Sequence, residues 1–85
     1  MDYILLICRL GSKIRKQRIS RGLTQVQLAK LAGLTRYKII AAEKGAPSVS
    51  MIAYARTLAA LDSELVVIPA VTPTLEELAE LFNDL

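Results

Sequence analysis

The sequence predicts a small all-α chain of four to five helices, with one short β-strand near its C-terminal end. Three observations lead there. Apolar residues recur at spacings of three and four through the first sixty residues, as one buried helix face requires. Helix-ending Gly and helix-starting Thr or Ser alternate along that stretch, at Gly22, Thr24, Gly33, Thr35, Gly45 and Ser48. A single β-branched run, Glu64-Leu65-Val66-Val67-Ile68, breaks the pattern and is stopped by Pro69. With 85 residues, 53% of them apolar, the chain can build one small core. A core of that size gains from burying further surface in an oligomer.

The first helix is expected from about Ile4 to Ser20, with Asp2 as its N-cap and Leu6, Ile7, Leu10, Ile14 and Arg18 along one face. Gly11 costs a helix roughly 1 kcal/mol relative to Ala. It leaves open a later start near Leu10, with residues 3–8 as a strand. Gly22 ends this helix. Thr24 caps a second, Gln25 to Ala32, closed by Gly33; Thr35 caps a third, Arg36 to about Lys44, closed by Gly45. Pro47-Ser48 reads as a turn, with Ser48 capping a fourth helix from about Val49 to Leu61. The apolar face of that helix would be Ile52, Tyr54, Ala55, Leu58 and Ala59. A lone strand at Leu65–Ile68 needs a partner, either segment 3–8 or the same strand of a second copy. The tail carries a capping box from Thr74 to Glu77, then an amphipathic stripe of Leu75, Leu78 and Phe82 among acidic residues.

Charge divides the chain. Residues 1–44 hold ten Lys/Arg against Asp2 and Glu43; residues 45–85 hold Arg56 alone against six acidic residues. Such a split suggests a half that meets a polyanion and a half that faces something else. Other chemistries are poorly served. With no His and one Cys, in an apolar run, neither a thiol–imidazole pair nor an ordinary zinc site can be assembled. The glycines sit as helix punctuation or packing positions rather than as a phosphate loop. Glu76, Glu77 and Glu80 read as a solvated helix face. No cofactor and no enzymatic activity are expected. No apolar run reaches the ~18 residues of a membrane span, and the segment Tyr3–Cys8 lacks a signal peptide's basic leader and cleavage site.

The stretch Thr24 to Gly45 reads TQVQLAKLAGLTRYKIIAAEKG. Ala29 stands where two crossing helices approach, Gly33 at the bend, and Leu28, Ala32, Leu34 and Ile39 fill the angle, as two helices joined by a short turn require. This stretch closely resembles the Cro/repressor (XRE-type) helix-turn-helix family, with the pattern TQ..LA...G.s...I...E.G. With Ile14, Arg18, Gly22 and Leu23 before it, and Pro47, Ser48 and Leu58 after, the likeness covers roughly residues 10–62. It implies a compact lambda-repressor-like domain over residues 1–62. Residues 63–70 would then be a dimerisation strand and 71–85 an acidic helical tail. Ala42 departs from the family's larger apolar residue, so packing there must differ. The short Gly45-Ala46-Pro47 connection also departs, which puts any backbone contact there in doubt.

In that family the helix after the turn enters the major groove. Carried over by position, the base readers would be Arg36, Tyr37, Lys38, Ile40 and Ala41, with Arg36 suited to guanine O6 and N7. The alternative for Arg36 and Lys38 is solvated surface charge, and for Ile40 packing beside Ile39. Thr24, Gln25, Thr35 and Lys44 would contact phosphate, Gln25 at a helix start whose dipole attracts anions. Arg18 and Glu43 match a structural ion pair that ties the first helix to the third.

A helix-turn-helix followed by the strand Leu65, Val66, Val67, Ile68 is also similar to HipB-type antitoxin autorepressors. That resemblance implies a homodimer joined through those four residues, double-stranded operator DNA as one partner and a kinase-like toxin as another. It places the protein in the bacterial cytoplasm, on the nucleoid when DNA-bound. A stand-alone phage- or plasmid-type repressor, and an adaptor that has lost DNA binding, remain the other readings.

Overall fold

The structure, a computed structural model, describes the backbone of residues 1–83 and the side chains of residues 1–79. The side chain of Phe82 and all of Asp84 lie outside the described residues. Five helices follow in order: α1 (Tyr3–Ser20), α2 (Gln25–Ala32), α3 (Arg36–Lys44), α4 (Met51–Ala60) and α5 (Leu75–Asn83). No described helix is long and apolar enough to cross a membrane.

Local chemistry sets the first three boundaries. The Asp2 carboxylate accepts from the Ile4 backbone N–H at 2.7 Å and starts α1. Thr24 starts α2 in a capping box: its hydroxyl accepts from Gln27 N–H at 3.1 Å, and the Gln27 amide oxygen accepts from Thr24 N–H at 2.8 Å. Thr35 Oγ1 accepts from Lys38 N–H at 3.2 Å and starts α3. Gly33 and Gly45 take left-handed φ of 69° and 71° and turn the chain out of α2 and α3. After each, a backbone N–H reaches back to the preceding turn, Leu34 to Ala29 O and Ala46 to Ala41 O. α4 ends the same way with Asp62 at φ 51°, and Ser63 N–H reaching Leu58 O.

The core is built from Ile14, Leu28, Ala29, Ile39, Ala42, Tyr54, Leu58 and Leu61, with Ile7, Leu10, Leu23, Leu34 and Val49 packed around it. α3 lies against α1, α2 and α4. Gly11 does not break α1; the helix runs through it, and segment 3–8 is helical. The reason is close approach. A Cβ on Gly11 would stand 2.5 Å from Ala42 O and 2.6 Å from Glu43 O. The same crossing accounts for a small residue at Ala42, which is buried beneath α1. A Cβ on Gly45 would likewise meet the Cys8 backbone at 2.8 Å.

Four expectations are corrected. α4 is capped by Ser50, whose hydroxyl accepts from Ala53 N–H at 3.2 Å, not by Ser48. Val49 then packs inward at N′ while Tyr54 does so at N4, the spacing of a hydrophobic staple. Its buried face is Ala53, Tyr54, Thr57 and Leu58, leaving Ile52, Ala55 and Ala59 exposed. Apart from Tyr54, only Arg56 and Thr57 are polar along this helix, so periodicity alone supports two faces. Thr57 was the misleading residue: its hydroxyl donates to Ala53 O at 2.8 Å, which lets it sit fully buried. The face expected on α1 shifts as well, since Leu6 is exposed and Leu5 is buried instead.

The expected strand Leu65–Ile68 is not formed. Residues 63–74 run without helix or strand, and Leu65, Val66, Val67 and Ile68 are all exposed. Among the described residues no second strand exists for them to pair with, and a ladder needs one. Beyond them, Thr74 and Glu77 exchange the two hydrogen bonds of a capping box, both at 3.1 Å, and start α5.

Candidate nucleic-acid interface

The turn between α2 and α3 presents the first turn of α3 to solvent. Arg36, Tyr37 and Lys38 are exposed, Tyr37 to 81%, while Ile39 directly after them is completely buried. Ile40 and Ala41 are half-buried one turn further on, and Lys44 is exposed in the last turn. The side chains placed as readers therefore form a graded strip, open at the N-terminal end and sinking into the body toward the C-terminal end. Neither α2 nor α3 has an acidic residue in its first turn, so both positive dipole ends stay uncompensated by side chains. Thr24 and Thr35 occupy the two caps.

Behind the strip lies a polar anchor. Arg18 Nε donates to Glu43 Oε2 at 2.7 Å and Nη2 to Oε1 at 3.2 Å, a two-toothed pair. Arg18 Nη1 also donates to Leu23 O at 2.8 Å. The pair is nearly dry, with 12% and 4% of the two side chains exposed. Gln25 Nε2 donates to the same Glu43 carboxylate at 3.4 Å, so its amide bridges α2 to α3 and is half-buried. α1, the start of α2 and the end of α3 are thereby locked to one carboxylate. This sets the orientation of α3 against α2 through charge-assisted bonds as well as through packing.

Three contributions escape sequence reading. Gly11 sets how closely α1 crosses α3. Arg56, the one cation of the acidic half, has Nη1 3.9 Å from where a Cβ on Gly33 would lie, beside the turn. Arg9 pairs with Glu77 and donates from Nη2 to Glu77 Oε1 at 3.2 Å and to Val71 O at 3.1 Å. Arg9 and Glu77 are 68 positions apart, and no local pattern links them. That Arg9 bond is the main reason the Glu77 carboxyl is held down to about 2, with Thr74 assisting. Among the described residues no group of three metal-ligating side chains comes together.

No family model matches the chain. It is 49% identical over 51 residues to an uncharacterized HTH-type transcriptional regulator of Methanothermobacter thermautotrophicus, a match covering 60% of this chain and 74% of that protein. The chain belongs to the helix-turn-helix transcriptional regulators.

Proposed function

We propose that this helix-turn-helix regulator is a sequence-specific, DNA-binding repressor that acts as a dimer on a twofold operator. The observation that carries the reading is the first turn of α3: Arg36, Tyr37 and Lys38 stand in solvent on a helix whose other side is anchored by Ile39, Ala42 and Glu43. A rigid helix with exposed cationic and aromatic side chains at its N-terminal end suits the major groove. Arg36 offers the bidentate contact to guanine, and Ile40 and Ala41 offer apolar contact to thymine methyls. Thr24, Gln25, Thr35 and Lys44 contact phosphate, Gln25 by turning its amide away from Glu43. Most of the affinity then comes from phosphate and falls steeply with salt.

In this reading Leu65 to Ile68 pair with the same residues of a second copy. The finer role is that of an antitoxin that represses its own operon and binds a kinase-like toxin; the exposed apolar segment and the acidic α5 support it. A stand-alone repressor without a toxin is the second reading, favoured by the bonds that hold α5 back on α1.

Selection from a random DNA pool tests the proposal. It should enrich two inverted half-sites whose centres lie about one helical turn, roughly 34 Å, apart. A pool without enrichment contradicts sequence reading, and a lone half-site contradicts the dimer.

A further inference from the structure

The C-terminal arm is attached in an unusual way. Leu5 is only 3% exposed yet stands apart from the main core cluster. It lies in an open groove of about 330 Å³ whose walls are Met1 and Asp2 on one side and Ala70, Val71, Pro73 and Leu78 on the other. The arm is fastened there by Arg9, which grips the Glu77 carboxylate with two nitrogens and the Val71 carbonyl with one of them. Nine positions along α1 separate Arg9 from Arg18, which places the two arginines on opposite faces of the helix. α1 thus has a second face, against which residues 70–78 of this same sequence are held, with the groove left open between them.

Between α4 and this arm run residues 63–69, seven residues without helix or strand. Fully extended they reach roughly 24 Å, about the 24 Å shortest dimension of the molecule. Within one chain, that link leaves Leu65, Val66, Val67 and Ile68 exposed, Val67 entirely. Paired antiparallel around a twofold axis, the same four residues satisfy each other's backbone groups and set their side chains against their counterparts, and each strand ends beside the beginning of the other. The residues that follow then emerge against the second molecule, beside the segment that leaves its α4.

We infer that the C-terminal arm is exchanged between two copies of this chain, residues 70–78 of each lying along the other's α1 and Glu77 closing on the partner's Arg9. The inference rests on the dimer proposed above and adds to it a second contact, reciprocal and charged. Exchange of an identical element costs no new chemistry, because every contact of the closed arm is re-made between molecules. It couples the two DNA-reading halves at two places instead of one. It also makes the apolar link part of an interface rather than a row of uncovered side chains.

Charge reversal across the latch tests this by sedimentation. Arg9→Glu and Glu77→Arg, each alone, put like charges together and should weaken the dimer about tenfold. Mixed in equal amounts, the two variants restore both latches in an exchanged heterodimer, one native and one reversed, so the mixture should dimerise like the native chain. Under a latch that closes within each chain, mixing restores nothing. A mixture no tighter than the single variants overturns the exchange, as do single variants that dimerise like the native chain. A variant that loses helicity alone gives the same reading, since it regains helicity on mixing only under exchange. A native chain that stays monomeric overturns the dimer itself; a native dimer without restoration overturns the exchange alone.

Discussion

The Arg18–Glu43 pair and the Arg9–Glu77 pair use the same two-toothed geometry on opposite faces of α1, yet they hold very different things. Arg18 and Glu43 join helices that share a dry core, and Gln25 and Leu23 complete their bonds. Arg9 and Glu77 join α1 to an arm whose Leu75 is largely exposed and whose link lies open to solvent. The first pair sets the orientation of elements that apolar burial already brings together. The second is a main fastening of its segment. An ion pair therefore specifies geometry where packing is strong, and acts as a reversible latch where packing is thin.

The largest expected effect follows from the first pair. Glu43→Ala leaves the Arg18 guanidinium buried without its counter-charge and should destabilise the whole domain by about 3 kcal/mol, seen as a lower urea midpoint. An unchanged midpoint would mean that the pair is ornamental. Next comes the crossing it guards. Gly11→Ala pushes a methyl onto the Ala42 and Glu43 carbonyls, and should cost about 2 kcal/mol despite the better helix propensity of Ala. A stabilised variant would show that α1 and α3 do not cross so closely.

The smallest effect belongs to the latch and is best read through pH. Docking lowers the Glu77 carboxyl from its ordinary 4.5 to about 2. A group whose value falls on docking stabilises the docked form fully above its ordinary value, and that stabilisation fades as pH drops through the lowered one. The arm should therefore stay closed at neutral pH and loosen between about 4.5 and 2. NMR titration of the Glu77 carboxyl with the α5 amides checks this. A midpoint at the ordinary 4.5 would sink the latch.

Most of the helix-turn-helix body could be read from the chain because its signals are local. Thr24, Gly33, Thr35 and Gly45 each act within a few residues, and Leu28 with Ala32, like Ile39 with Ala42, lie at helix spacing. What escaped depends on contacts distant in sequence. Gly11 looks like a weak point until α3 is laid across it. Ser48 and Ser50 are equally good caps until Val49 is drawn into the core. Leu65–Ile68 have the composition of a strand, but composition supplies no partner. Arg9 and Glu77 meet only because the arm folds back, which neither periodicity nor motif encodes. Of the site, the positions of Arg36, Tyr37 and Lys38 were legible, whereas the tie between Gln25 and Glu43 was not.

The central claim is that the exposed first turn of α3 reads bases while its anchored remainder only holds it in place. Arg36→Ala, measured by fluorescence anisotropy on the selected operator and on single-base variants of it, addresses that claim most directly. The account predicts a loss of about 1–3 kcal/mol in binding and relaxed choice at one base pair per half-site, with helicity and salt dependence little changed. An Arg36→Ala chain that binds more weakly but discriminates every position as before would contradict it, and would make Arg36 a phosphate contact only.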